Sequence, residues 1–287
     1  MKNSLLLFVF LPLLIFSQNV DIPDANFKAY LVENREINTN GDNEIQLSEA
    51  SAFKGFIICS RREIVSLNGI EAFTSLDNLY CNDNQLTTLD VSKNSALTNL
   101  VCHNNQLTTL DVSKNSALTG LDCDDNQLTT LDVSKNSALT NLYCGDNQLT
   151  SLDVSNNTAL TGLDCDGNQL NSLDVSNNTA LLGLNCWFNQ LTSLDVSKNA
   201  SLIELYCGYN QLTSLDVSNN SALTGLACDD NQLTSLDVSN NTALTYLSCN
   251  VNRLKSLDVR KNTALTELSC YGNHLDFDAL KKSLGLE

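Results

Sequence analysis

The stretch LTNLVCHNNQLTTLDVSKNSA, which runs from Leu97 to Ala117, decides the fold because close copies of it fill most of the chain. Cysteine returns in each copy at a constant step of 21 residues. The cysteines at this spacing are Cys81, Cys102, Cys123, Cys144, Cys165, Cys186, Cys207, Cys228, Cys249 and Cys270. A fixed period of roughly 20–29 residues indicates a solenoid, because one short copy cannot bury its apolar face alone and must stack on its neighbours.

Alternating residues within the copy predict one short strand. Leu100 and Cys102 are two residues apart and point to one side, whereas Asn99, Val101 and His103 point to the other. Stacked copies then form a parallel sheet whose strands lie about 4.8 Å apart, with the leucines and cysteines inside. Each copy also carries an asparagine just after the strand. We interpret it as structural, with an amide that bonds main-chain groups of its own copy and of the next one.

The pattern L-x-x-L-x-C-x-x-N-x-L resembles the leucine-rich repeat, whose core has leucine where this chain has cysteine. The resemblance covers residues 76–275 in ten copies, and residues 57–75 are similar to the internalin-type form of the repeat. It implies a leucine-rich repeat solenoid with a parallel β-sheet on one face and short turns or irregular segments on the other. Small helical caps are predicted at both ends, within residues 18–56 and 276–287.

The first 17 residues predict a signal peptide. Lys2 precedes an apolar run from Leu5 to Phe16, which is shorter than the roughly 18–20 residues that a spanning helix needs. We therefore expect bacterial export to the extracellular space or the cell surface, with no membrane span after signal cleavage.

Composition and motifs argue against two functional classes. The chain has 16 Lys and Arg against 33 Asp and Glu, a net charge of −17 that repels nucleic acid, so no nucleic-acid partner is expected. Its two histidines, His103 and His274, lie in copies far apart along the solenoid, and no nucleotide-binding or zinc-protease motif is present. The chain is therefore predicted not to be an enzyme.

The eleven cysteines are expected to be buried and reduced. Neighbouring thiols on in-register parallel strands rarely reach the torsion near ±90° that a disulfide requires, and a buried cysteine behaves as a small hydrophobic residue. The chain also lacks the C-x-x-C pairs and clustered histidines typical of zinc sites.

The segment from Asn38 to Glu49 resembles the calcium loop of EF-hand and dockerin-like proteins. It departs from that pattern at its first position, where an asparagine replaces the usual aspartate, and at Asn43, where the family has glycine. The resemblance implies weakly held calcium as a cofactor. The matching oxygen-bearing residues are Asn38, Asn40, Asp42, Glu44 and Glu49. The alternative is a metal-free polar turn that caps a helix at Ser48.

Residues that break the repeat at outward strand positions are the candidates for ligand binding. Aromatic side chains concentrate on neighbouring copies, within an acidic field. The aromatic set is Trp187, Phe188, Tyr206, Tyr209 and Tyr246. The acidic set is Asp122, Asp124, Asp125, Asp164, Asp166, Asp229 and Asp230. Exposed aromatics in a polar rim are typical of interface hot spots, although single exposed aromatics also suit strand geometry.

The resemblance to internalin-type and other bacterial leucine-rich repeat proteins implies a secreted or cell-surface recognition or adhesion module. Its expected ligand is a protein or a glycan, basic or sugar-bearing, bound through the sheet face. The alternative is a structural surface-coat or water-ordering protein, for which a flat threonine row would be required. Leu182 and Ile203 interrupt that row. The row is Thr98, Thr119, Thr140, Thr161, Thr224, Thr245 and Thr266.

Overall fold

A computed structural model describes residues 18–283 of the chain. The predicted signal peptide at residues 1–17 therefore lies outside the described residues, as do the last four residues of the predicted C-terminal cap.

Eleven short strands form one parallel sheet, in which the strands follow one another in the order of the sequence. They are β1 (Phe56–Ile58), β2 (Asn78–Tyr80), β3 (Asn99–Val101), β4 (Gly120–Asp122), β5 (Asn141–Tyr143), β6 (Gly162–Asp164), β7 (Gly183–Asn185), β8 (Glu204–Tyr206), β9 (Gly225–Ala227), β10 (Tyr246–Ser248) and β11 (Glu267–Ser269). Neighbouring strands pair without slippage, as Asn99 does with Gly120. The predicted solenoid with its parallel sheet is confirmed, and β1 begins one residue before the predicted start of the first copy.

The interior is one continuous stack of apolar side chains. In the copy that opens the sequence analysis, Leu97, Leu100, Cys102, Leu107 and Val112 are all fully buried. The same positions are buried in most other copies, so each side chain packs on its counterparts in the neighbouring copies. The outward residues of the sheet consequently stand on a packed base and can vary without loss of the fold.

The asparagine that follows each strand satisfies buried main-chain groups. Nδ2 of Asn105 donates to the carbonyls of Cys102 in its own copy and Cys81 in the preceding one, at 3.0 and 3.1 Å. Its Oδ1 accepts the main-chain N–H of Leu86 at 3.0 Å, also from the preceding copy. The structural role is as predicted, but the bonds reach back to the preceding copy rather than forward to the next one.

A second asparagine ladder runs through the turns on the opposite side from the sheet. Asn115 is fully buried, and its Nδ2 donates to the carbonyls of Val91 and Asn94 in the preceding copy at 3.0 and 2.9 Å. Its Oδ1 has no hydrogen-bond partner within the described residues, and the same holds for its counterparts in the neighbouring copies.

All eleven cysteines are free, and those from Cys59 to Cys249 are buried. Burial raises the pKa of the thiols, for Cys186 to about 12, so they remain protonated and unreactive at neutral pH. The predicted burial is confirmed for ten of the cysteines, whereas Cys270 is half-buried, and the reduced state of the thiols in solution stays a prediction.

Helices close both ends of the stack. α1 (Ala25–Glu33), α2 (Leu47–Ala52) and a short 3-10 helix (Ile70–Ala72) lie at the N-terminal end, and α3 (Phe277–Ser283) lies at the C-terminal end. α2 begins after Gln46, which forms a reciprocal capping box with Glu49. The predicted cap at Ser48 is therefore wrong by two positions. Within residues 18–283, no helix is long and apolar enough to cross a bilayer.

Asp24 ties the N-terminal cap to the first copy. One carboxylate oxygen accepts the N–H groups of Asn26 and Phe27 at the start of α1, and the other accepts those of Val65 and Ser66. Burial alone would raise the pKa of Asp24, but these four donors hold it below its ordinary value.

Candidate functional site

The outward face of the sheet consists of parallel rows, because the pairing keeps its register from copy to copy. In the copy of β3 the rows are occupied by Asn99, Val101, His103 and Asn104. Successive members of a row lie about 4.8 Å apart, so every outward side chain has neighbours above and below it in the same row.

The fourth of these rows, to which Asn104 belongs, lies in a left-handed turn. This corrects the predicted strand position of Phe188 and Tyr209. Their φ angles are 48° and 51°. Most other copies carry residues that tolerate this conformation better, namely Asp83, Asn104, Asp125, Asp146, Gly167, Asp230 and Gly272. A bulky side chain costs about 1–2 kcal/mol here. Two adjacent rings at such positions favour a role in binding over a role in stability.

Trp187, Phe188 and Tyr209 contact one another and form what we call the aromatic platform. The rings of Phe188 and Tyr209 stack with centroids 4.2 Å apart, and the Trp187 ring lies 5.4 Å from Tyr209 and 6.2 Å from Phe188. Gly208 makes room for the indole, because a Cβ at that position would lie 2.6 Å from it. Phe188 and Tyr209 are 52% and 42% exposed, so the platform presents apolar surface to solvent.

Tyr206 and Tyr246 do not belong to the platform. The Tyr206 hydroxyl leans over Gly225 of the following copy, 3.6 Å from the place of a Cβ there. Burial, and then the charge of Glu204, raises the pKa of Tyr206. Tyr246 is half-buried at the start of β10. The structure therefore divides the predicted aromatic set into a contiguous group of three and two separate strand residues.

Four of the predicted aspartates surround Gly145. Its N–H donates to Oδ1 of Asp124 at 2.6 Å, and the Asp166 carboxylate occupies the space that a Cβ of Gly145 would need. Asp122 and Asp164 stand two residues earlier on the same two flanking copies. A glycine at this point is what allows the carboxylates to approach one another.

Crowding suppresses the charge of this group. Burial, followed by the negative charge of Asp122, raises the pKa of Asp124 to about 7. Burial, followed by Asp164, raises the pKa of Asp166 to about 6. The predicted acidic field is therefore weaker at neutral pH than a count of aspartates suggests.

The remaining predicted aspartates have different surroundings. Asp229 is buried, and its Oδ1 accepts the Ser248 hydroxyl and the Asn250 N–H, so its predicted place among the ligand-facing residues is corrected. Asp125 is exposed, and Asp230 is half-buried beside the platform.

Sequence reasoning overlooked the glycines of this face, because a glycine offers no side chain to single out. The available signal was the presence of glycines beside large residues along one row. That row reads Asp124, Gly145, Asp166, Trp187, Gly208.

The predicted calcium loop is closed by its own hydrogen bonds. Glu49 accepts the N–H of Asn40 on one oxygen and that of Gln46 on the other, at 3.1 and 3.0 Å. Glu44 points away from the loop and pairs with Lys28 at 2.8 Å. Within residues 18–283, no group of three His, Cys, Asp or Glu side chains is placed to hold a metal.

The other three predicted ligands are also engaged. Nδ2 of Asn38 donates to the Val32 carbonyl at 2.9 Å, and Nδ2 of Asn40 donates to Oε1 of Gln46 at 2.7 Å. Oδ2 of Asp42 accepts Nε2 of Gln46 at 3.0 Å. This donor set suits a metal-free turn, and calcium binding stays a prediction.

Melting curves in several millimolar calcium test that prediction. If an ion replaces these hydrogen bonds, calcium at about ten times its dissociation constant raises the free energy of unfolding by about 1.4 kcal/mol. Glu49→Gln should lack this gain because one carboxylate is lost. A melting temperature of the wild-type chain that does not respond to calcium contradicts the prediction.

The threonine row that could order water directs its hydroxyl protons to the main chain of the preceding copy. Oγ1 of Thr119 donates to the Thr98 carbonyl at 3.1 Å, and Oγ1 of Thr140 donates to the Thr119 carbonyl at 3.0 Å. These protons are committed to the main chain rather than to solvent. The structural-coat alternative thereby loses the feature that suggested it.

Comparison with known proteins gave matches among solved structures. No protein-family model matches the chain, and no curated protein matches it. The functional domain of InlJ from Listeria monocytogenes, described as including a cysteine ladder, aligns with 89% of this chain at a TM-score of 0.78 and 36% identity. The fold is that of a leucine-rich repeat solenoid. The chain spans 63% of the length of that InlJ structure.

Two further structures share the fold. The internalin inlF from Listeria monocytogenes aligns with 92% of this chain and 86% of its own, at a TM-score of 0.73 and 23% identity. FLRT2, solved in an octameric complex with Latrophilin 3 and Unc5D, aligns with 68% of this chain and 70% of its own, at a TM-score of 0.58 and 21% identity. At these identities the likeness shows the fold alone. None of the three is described as an enzyme.

Proposed function

We propose that this leucine-rich repeat solenoid is a secreted or cell-surface recognition module, without catalytic activity, that binds a protein through the outward face of its sheet. The observation that carries the proposal is the aromatic platform. Its rings contact one another, two of them are substantially exposed, and those two occupy backbone positions that disfavour large side chains. Rigid aromatic surface of this kind is what dominates protein interfaces energetically.

A protein ligand is favoured over a glycan by the way the rings pack. Phe188 and Tyr209 stack with their planes 24° apart, so each covers one face of the other. Less flat ring surface is then left for a sugar to stack on, whereas an irregular apolar side chain can fill the edges of the platform. FLRT2, which shares the fold, was solved in complex with other proteins.

The charge of the face favours a basic partner. Asp125 and Asp230 stand at turn positions of the outward face, and the whole chain carries a net charge of −17. Charges at the rim of an interface act mainly on the rate of encounter, so raising the salt concentration should slow association more than it speeds dissociation.

Trp187→Ala should weaken binding of the proposed protein partner by about 1–3 kcal/mol, because it removes the largest ring of the platform and leaves the core untouched. The measurement is titration calorimetry with the purified partner. Tyr271→Ala is the matched control, since Tyr271 occupies the same row and is 65% exposed, but lies four copies away. Equal losses in the two variants, or no loss in either, would remove the platform from the binding site.

A further inference from the structure

A notch of about 260 Å³ opens in the outward face next to the aromatic platform. Its floor consists of Gly162 and Gly183, the first residues of β6 and β7, whereas β5 and β8 begin with Asn141 and Glu204. A Cβ built on Gly183 would have no atom within 4 Å. The space above Gly183 is therefore open down to the main chain.

The walls of the notch are phenol rings and carboxylates. Tyr143 forms one side, with its hydroxyl 3.8 Å from the place of a Cβ on Gly162, and Glu204 and Tyr206 form the other. Asp164 lies at one end of the notch. Among the described residues that line the notch, none is basic.

Asp164 is fixed in place before any ligand arrives. Its Oδ2 accepts Nδ2 of Asn185 at 3.0 Å, and its Oδ1 accepts the N–H of Asp166 at 3.2 Å. Each carboxylate oxygen has a second lone pair, so Asp164 can still accept a hydrogen bond from a ligand. Glu204 is exposed on the opposite wall and can reorient towards a ligand.

A flat cation fits this combination of groups best. A guanidinium presents five N–H donors in one plane, pairs with carboxylates and stacks on tyrosine rings. A lysine ammonium would meet the same carboxylates but lacks the plane that stacks. A neutral sugar would leave the two carboxylates without a positive charge, and an acidic group would be repelled.

We propose that the notch over Gly183 receives an arginine side chain of the protein partner. This inference rests on the proposed function, because it concerns the same face and the same partner. From Gly183 to Trp187 the chain advances four residues, which is at most about 13 Å at the rise of a strand, and Phe188 follows in the left-handed turn. One segment of the partner can therefore place an arginine in the notch and an apolar residue on the platform.

The test is an NMR titration of the isotope-labelled protein with the tripeptide acetyl-Gly-Arg-Gly-amide. The amide signals of Gly162 and Gly183 should shift with a dissociation constant in the millimolar range, as expected for one side chain. The same peptide with citrulline, which has the shape of arginine without its charge, should bind at least about fivefold more weakly.

Two variants locate the site. Gly183→Val should abolish the shifts, because its side chain fills the notch while the open space and strand backbone accept it. Glu204→Gln should weaken binding roughly threefold to tenfold. Glu267→Gln is the matched control, since Glu267 opens β11 in the same row as Glu204 but lies outside the notch, and it should leave binding unchanged.

Equal binding of the citrulline peptide, or unchanged arginine binding in Gly183→Val, overturns the proposal. So does an arginine peptide that shifts no signal at the notch. These outcomes are distinct from failure of the proposed function. That failure would show in the effect of Trp187→Ala on binding of the protein partner. If the peptide fails but Trp187→Ala weakens partner binding, the notch assignment alone is lost.

Discussion

Asn126→Ala should lower the free energy of unfolding by about 2–4 kcal/mol, a large effect for one polar side chain. Nδ2 of Asn126 donates to the carbonyls of Cys102, Cys123 and Asp124 at 3.0–3.1 Å. Its Oδ1 accepts the N–H of Leu107 at 2.9 Å. Alanine would leave the buried Leu107 N–H without a partner, which costs about 1–3 kcal/mol. The three carbonyls would each lose one of two donors and keep the other, from Asn105, Asn147 and the Asn104 N–H, so each lost bond adds only about 0.5–1 kcal/mol.

Urea denaturation followed by circular dichroism measures this loss. Asn240→Ala is the control, because Asn240 is exposed and makes one side-chain bond, to the Ser218 carbonyl at 3.2 Å; we expect a change below about 0.5 kcal/mol. Repeat proteins can unfold in parts, so the fluorescence of Trp187 should be recorded alongside. A loss below about 1 kcal/mol for Asn126→Ala would show that water or relaxation replaces the ladder.

Stability should increase when the pH is lowered from about 8 to about 5. The pKa of Asp124 is raised from 3.8 to about 7 by burial and by its acidic neighbours, and that of Asp166 is raised to about 6. Groups with a raised folded pKa contribute stability that is present below the unfolded value and lost as the pH rises through the folded value. With allowance for partial exposure, the free energy of unfolding should rise by about 2–4 kcal/mol between pH 8 and pH 5.

The aspartates on the opposite side of the solenoid set the acid limit of this gain. Most of them accept a hydrogen bond from the serine two residues later, which lowers their pKa below 3.8, and Asp258 has Arg260 in that place. Their contribution is present above the unfolded pKa and is lost as the pH falls below it. The aspartates of this opposite side are Asp90, Asp111, Asp132, Asp153, Asp174, Asp195, Asp216, Asp237 and Asp258. The stability maximum should therefore lie between about pH 4 and pH 6.

The control for the pH effect is the double substitution Asp124→Asn and Asp166→Asn. Asparagine has the shape of the protonated aspartate, and its Oδ1 can still accept the Gly145 N–H. The double variant should lose most of the dependence between pH 5 and pH 8. A wild-type chain that is equally stable at both values would contradict the crowding of carboxylates around Gly145.

The fold was predictable because every copy repeats the same buried residues. Leu100 and Cys102 have equivalents one period away on each side, so the period alone specifies stacking, strand order and the inward face. The direction of the asparagine bonds could not be predicted in the same way. A spacing of 21 residues is the same in both directions along the stack, and the geometry of the turn decides which copy the amide reaches.

The candidate site was predictable in composition but not in arrangement. The sequence pointed to Trp187 and Phe188, yet their positions relative to the strand end depend on a left-handed turn that most other copies fill with aspartate, asparagine or glycine. Asp229 and Asp230 are adjacent and chemically identical, and the structure buries one and leaves the other half-buried. That difference comes from Ser248 and Asn250 in the following copy, which a reading of one copy does not capture.

Photo-cross-linking tests binding through the outward face most directly. A photoreactive benzoylphenylalanine replaces Phe188 on the aromatic platform, or Lys198, which is exposed in the turns of the same copy opposite the sheet. Illumination with the partner should give a covalent complex from position 188 and none from position 198. Cross-linking from position 198 but not from position 188 would place the binding surface on the opposite side and contradict recognition through the sheet.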